Sequence, residues 1–179
     1  ACAKAGGGRV LIPAGKWFTG PIQLQSNIEL HLHQGAIVRF CADPERYLPA
    51  VFVRWRGMHC HNDSPLIYAC DCQNIAITGR GMLLGQGKPW WAWEKLQHRS
   101  RARQYELVTA GVPVDQRIFG STEYPLRPQF IQPINCTNVL LEDFTIAEAG
   151  PFWTIHLAYC RNVIVRRLHI HACDGPNTD

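Results

Sequence analysis

Two stretches near the C-terminus of this chain carry the same alternation of apolar and polar positions: "NCTNVLLEDFTIAEAG" from Asn135 and "YCRNVIVRRLHIHACDG" from Tyr159. One constant step takes Cys136 to Cys160, Asn138 to Asn162, Val139 to Val163, Leu141 to Val165, Phe144 to Leu168 and Ile146 to Ile170. A weaker copy lies in "DCQNIAITGRGMLLGQG", at Cys72, Asn74, Ile75 and Ile77, and a fainter one in "SNIELHL", at Asn27, Ile28 and Leu30. A period of two predicts short strands with one face buried. Asn or Gly recurs at the strand ends, where a corner needs a residue that adopts left-handed backbone readily.

No helical period links successive copies, which argues against a doubly wound α/β sheet and against a TIM barrel. Short strands joined by tight corners in a 24-residue unit predict an all-β right-handed parallel β-helix, a solenoid whose rungs stack about 4.8 Å apart. Inward Val, Leu, Ile and Phe then form continuous ladders, and Asn138 over Asn162 can form a ladder of side-chain amides. Cys136 beside Cys160 would be within disulfide range, but buried thiols also pack well as small hydrophobes, and stacked thiols are the preferred reading.

Between the second and third copies, residues 88–126 break the pattern. This insertion predicts a short helix near 91–108 and carries three of the six tryptophans, in "WWAW". Insertions in solenoids become loops on one face, often the binding face. Two readings stand: the aromatics line a binding surface, or they pack the insertion onto the barrel. The whole chain, 1–179, reads as part of one β-helix domain.

Composition narrows the function classes. An apolar fraction of 46% excludes a disordered chain. No apolar run approaches the roughly 18 residues of a membrane span. The formal charge of +4 is mild, and the one basic cluster, "HRSRAR" at 98–103, reads as solvated surface rather than a nucleic-acid footprint. Eight cysteines without a C-x-x-C pair disfavour zinc ribbons and thioredoxin-like sites. The H-x-H pairs His31/His33, His59/His61 and His169/His171 lie on different rungs without a matching set of carboxylates, so no metal site is expected.

Several segments in order, "GGGRVLIPAGKWFTGPIQLQSNIELHLHQGA", "SPLIYACDCQNIAITGRGMLLGQG", "RPQFIQPINCTNVLLEDFTI", "PFWTIH" and above all "GPNTD", make the chain similar to glycoside hydrolase family 28, the polygalacturonases and related pectin-degrading enzymes. The resemblance implies inverting hydrolysis of α-linked galacturonic acid polymers on a right-handed parallel β-helix, with no cofactor. It implies an acidic polysaccharide partner (pectin or galacturonan), no nucleic acid or membrane partner, a monomer, and a secreted or periplasmic location. Asp179 matches the catalytic Asp of the family's "NTD" motif and Asn177 its Asn; the family's further Asp pair, His and Arg-x-Lys have no counterpart before residue 179. Leu84 departs from the acidic residue common in the family's "DG-x-G" segment, on an early rung.

Inverting hydrolysis needs one carboxyl to protonate the leaving oxygen and another to activate water across a gap that admits it. Asp179 is accordingly the general-base candidate, and Asn177 would orient the sugar or the carboxylate. Trp153, one rung step before Asn177, would either stack on a sugar ring or bury in the core. Arg127, a step below Pro151, would either pair with a galacturonate carboxylate or bond loop carbonyls. His156 is a further candidate substrate contact. Two rivals remain: a pectate-lyase-like β-helix using calcium held by several carboxylates, disfavoured by the lack of clustered acids before 179, and a non-catalytic β-helix adhesin or binding module.

The ends carry an expectation too. "ACAKAGGG" reads as the tail of a helix with Gly6 in the left-handed cap position, and one carboxylate cannot act as both acid and base. The expectation is a fragment of a longer enzyme, lacking its N-terminal cap and later rungs and inactive by itself.

Overall fold

The computed structural model describes residues 1–120, 122–148 and 150–172, so the expectations placed on Asn177 and Asp179 lie outside the described residues. The chain winds through successive rungs. The first rung holds β1 (Gly8–Ile12), β2 (Gly15–Thr19) and β3 (Ile22–Gln23). The second runs through β4 (Ile28–Leu32) and β5 (Ala36–Phe40), then makes an excursion through β6 (Val51–Trp55) and β7 (Met58–Asn62), and returns in β8 (Ile67–Cys70). The third uses β9 (Gln73–Gly79) and β10 (Met82–Leu84), departs into the helix α1 (Trp93–Thr109), and returns in β11 (Ile131–Ile134). The fourth has β12 (Thr137–Glu142) and β13 (Thr145–Ala147), and the fifth begins with β14 (Arg161–Arg166) and β15 (His169–Ile170).

Equivalent strands of successive rungs pair in parallel, giving one sheet in the order β1-β4-β9-β12-β14, a second in the order β15-β13-β10-β5-β2, and a third in the order β11-β8-β3. Residues 155 and 158 extend the third sheet through bridges to 131 and 134. The fold is therefore a parallel β-helix, and the repeat step holds where it was read, with Thr137 opposite Arg161 and Thr145 opposite His169.

Registration turns the alternation into a core. Val10, Leu30, Ile77, Leu141 and Val165 lie in one column across five strands, and the three central members are at most 3% exposed. A second column runs Val38, Leu83 and Ile146 in the neighbouring sheet. Full burial of each such side chain contributes about 1.5–3 kcal/mol before conformational entropy is set against it. The corners are equally repetitive. Asn27, Asn74, Asn138 and Asn162 take φ of 62°, 55°, 59° and 52°, and their amides bond in series at 2.8, 2.7 and 2.6 Å. Asn suits the position because it tolerates left-handed backbone and carries both a donor and an acceptor. At Gly79 (φ 98°) a Cβ would fall 2.1 Å from the carbonyl oxygen of Leu32, so the close approach of these rungs admits only glycine.

Cys72, Cys136 and Cys160 occupy one column as free thiols, each donating to a carbonyl oxygen: Cys72 to Cys70, Cys136 to Ile134 and Cys160 to Pro133. Ala3–Ala5 forms a single 3-10 turn closed by Gly6 at φ 94°, the left-handed cap read from the sequence. The insertion contributes a 3-10 turn (Lys88–Ala92) leading into α1, and its aromatics pack it onto the barrel: Trp90 is buried edge-on to Tyr47 and to Trp93, at 5.3 and 5.1 Å. The antiparallel hairpin β6–β7, with Arg56 and Gly57 both at positive φ in its two-residue turn, has no counterpart in the sequence reading.

Candidate functional site

Both excursions leave the barrel at the same corner, between the second sheet and the third. The hairpin occupies 51–62, α1 and its flanking loop occupy 88–126, and in the fourth rung the short segment 150–154 crosses the same corner. Because their roots are stacked, the three meet. Val53, Trp55, Cys60, Phe119, Leu126 and Phe152 bury together as a second small core, with Trp55 stacked on Phe152 at 5.0 Å and Phe152 on Trp153 at 4.8 Å.

Beneath the hairpin lies the outward face of the third sheet. Alternation turns Ile67, Ala69 and Ile131 into the main core and sends Tyr68 and Gln132, which pair in register, to the outside. His156 continues their column one step on. Strand β6 lies over this column: Tyr68 Oη donates to the Phe52 carbonyl at 2.6 Å, and the Gln132 amide donates to the Arg54 carbonyl at 2.8 Å. The same amide meets His156 Nδ1 at 2.6 Å. An amide N–H can only donate, so Nδ1 accepts, and neutral His156 carries its proton on Nε2.

Around that imidazole gathers a cationic and aromatic patch. The Arg54 guanidinium sits 5.1 Å over the Tyr159 ring and donates to its hydroxyl, which also lies 3.1 Å from His59 Nε2. Trp153 stands edge-on to His156 at 4.9 Å. Burial, then the positive charge of Arg54, holds His156 below the usual imidazole range; His59 is lowered by burial, then by Arg54 and Arg117. Both imidazoles are thus neutral at neutral pH. Arg54 has no carboxylate partner among the described residues, so the patch offers a guanidinium, an imidazole N–H and a phenol to an incoming anion. No group of three or more His, Cys, Asp or Glu side chains that could hold a metal occurs among the described residues.

The candidates read from the sequence fall out differently. Trp153 and His156 come together, half-buried, at the patch. Arg127 is 2% exposed and does not stand on an open wall: α1 covers it. Its Nε donates to Gln97 Oε1 at 3.1 Å, its guanidinium lies 5.2 Å over Phe152, and its carbonyl accepts the Trp55 indole N–H. Arg54, Gln132 and Tyr159 were not singled out, and His59 was weighed only as part of an H-x-H pair. Gln132 was reachable, since it stands one rung step before His156, but Arg54 and His59 belong to the unforeseen hairpin. Asp63, at the hairpin's return, is fully buried; neither carboxyl oxygen has a partner among the described residues, and burial, then the charge of Glu45, pushes it up to about 8.

No family model matches the sequence. The chain is 28% identical over 181 residues to a probable polygalacturonase from Vitis vinifera, covering 97% of this chain and 32% of that protein. Among solved structures it superposes on the hyperthermoactive exopolygalacturonase from Thermotoga maritima with a TM-score of 0.91 and 42% identity, over 99% of this chain and 42% of that one. The family 28 exopolygalacturonase from Yersinia enterocolitica gives a TM-score of 0.66 at 24% identity, over 92% of this chain and 34% of that one, a likeness of fold. The chain thus spans 32% to 42% of the length of these relatives, and over essentially its whole extent it is polygalacturonase-like.

Proposed function

We propose, with this likeness as premise, that the protein carrying this chain is an inverting glycoside hydrolase that cleaves α-linked galacturonic acid polymers, polygalacturonate or pectin. The observation that carries the reading is the 42% identity to an exopolygalacturonase over 99% of this chain. The chemistry of the corner agrees with it: an unpaired guanidinium suits a uronate carboxylate, and the Trp153 edge and Tyr159 ring give apolar faces to a sugar. In this reading Arg54 holds a substrate carboxylate and His156 donates from Nε2 to a sugar oxygen. Asp179 acts as general base, and Asn177 positions the sugar or that carboxylate.

Rung arithmetic sets a condition on the last two. A further step of the same length stacks Asp179 on Ile155, which packs toward the core, whereas a step longer by a single position stacks it on Thr154. A step shorter by a single position stacks it on His156 instead, so the catalytic role requires only that the step at this corner differ from the unchanged one. Terminal attack is the mode we favour, with the stacked excursions closing one end of the cleft and the Thermotoga maritima relative in support. The protein would be a secreted or periplasmic monomer; no described helix is long and apolar enough to cross a membrane.

Product analysis on polygalacturonate tests the reading. A hydrolase releases reducing ends without ultraviolet absorbance, a lyase releases unsaturated, absorbing products, and a binding module releases neither. A single short product at early times marks terminal attack; a ladder of oligomers contradicts it.

A further inference from the structure

A groove of about 470 Å³ lies between the tip of the hairpin and α1, and its lining shares no residue with the Arg54–His156 patch. Trp55 and Met58 form its apolar floor, Arg56 stands at the hairpin turn, and His98, Arg101 and Tyr105 project from one face of α1. Their spacing of three and four positions places them in a row along the helix. The adjacent face, about a quarter turn round the helix, carries Gln97, Ser100 and Gln104 and is buried. No lining residue is acidic, and neither Arg56 nor Arg101 has an ion-pair partner among the described residues. By contrast Arg99 and Arg103, on the same helix, pair with Glu123 and Glu106. Tyr105, 67% exposed, presents a flat ring beside the two free guanidinium groups.

We propose that this groove is a docking site for the carboxylate-bearing polysaccharide itself, holding a stretch of polygalacturonate chain on the enzyme's surface. The proposal rests on the hydrolase reading only for the identity of the polymer. Its chemistry is that of an acidic sugar: a ring to stack on and guanidinium groups to meet carboxylates. Duplex DNA binders by comparison commonly meet about six to ten phosphates, and two unpaired arginines with one histidine fall short of that. The basic run at 98–103 thus divides by helix face, with His98 and Arg101 turned to the groove and Arg99 and Arg103 paired elsewhere.

Affinity electrophoresis of the full-length protein through gels containing polygalacturonate tests this. Wild type is expected to be retarded, and Arg56→Gln with Arg101→Gln to weaken the apparent affinity about tenfold, from two exposed charge contacts. Tyr105→Ala, at an exposed position that folding does not depend on, is expected to weaken it several-fold. Lys95→Gln with Arg103→Gln removes two charges from the same helix outside the groove and is expected to keep wild-type retardation. The proposal is overturned if the Arg56/Arg101 variant and Tyr105→Ala both run as wild type, or if the Lys95/Arg103 variant loses as much. It is also overturned if fully methyl-esterified pectin retards wild type equally, or if duplex DNA displaces it from polygalacturonate at lower concentration. A wild type that is retarded and releases no reducing ends, with the Arg56/Arg101 variant about tenfold weaker, ends the hydrolase reading and supports the groove.

Discussion

At neutral pH Asp63 holds a proton that an exposed aspartate would have released near 3.8. Its folded value, pushed up to about 8, lies above its unfolded one, so between those limits the folded state binds more protons and stability falls as pH rises. Asp63→Asn keeps the shape and removes the titration. Relative to wild type, the variant is expected to gain stability progressively from pH 5 to 8, by on the order of several °C in Tm at the upper end, read by thermal melts across pH. Equal melting curves at pH 8 would show that the carboxyl has a partner. His156 and His59 have the opposite sign. Their values are lowered by burial and by Arg54, so their contribution is present above the ordinary imidazole value of 6.5 and is lost as pH falls below it. At the same scale, Arg54→Gln is expected to raise KM for polygalacturonate about tenfold or more, the cost of losing a hydrogen bond to a charged group, with a smaller change in kcat. Steady-state kinetics on short oligomers reads that split. The repeat step from Asn177 singles out Trp153, and nearness to Trp153 singles out His156; of the two readings of Arg127 the structure gives the structural one, with Gln97 of α1 as its partner, a helix that nothing in "RPQF" announces.

The rung is where sequence and structure agree most closely. Alternating Val, Leu and Ile fix which face of each strand turns inward, and Asn27, Asn74, Asn138 and Asn162 at one corner supply both the turn and a bond to the next rung. The ladder's two contributions can be separated. Asn138→Ala loses two amide bonds and places a Cβ-bearing residue without a local side-chain bond at φ 59°. The expected cost is about 2–3 kcal/mol. Asn138→Gly loses only the bonds, and is expected to cost about 1 kcal/mol less by urea denaturation. Equal costs would mean that the backbone conformation carries no penalty there. The hairpin β6–β7 was not legible because "VFVRWRGMHCHN" repeats nowhere else in the chain, and its register is set by its own turn and by Phe119, Leu126 and Phe152 arriving from distant segments. α1 was legible in extent, and its attachment through Trp90 and Trp93 chose between the two readings of "WWAW".

Across the whole molecule, the excursions have no sequence in common and lie far apart along the chain, yet one corner roots them all. A solenoid keeps a corner in place from rung to rung, so segments inserted there at different points of the chain stack and bury one another. That is how Arg54 from the second rung, Gln132 from the third and His156 from the fourth reach one patch. The account's central claim is that this corner serves hydrolysis of polygalacturonate with Asp179 as the base. The direct measurement is release of reducing ends from polygalacturonate by the full-length protein and by Asp179→Asn, with absorbance of unsaturated products followed in parallel. The account predicts hydrolysis without such absorbance in wild type, and a loss of about 10² to 10⁴-fold in kcat in the variant. Turnover by Asp179→Asn within about tenfold of wild type, or products that absorb, would contradict it.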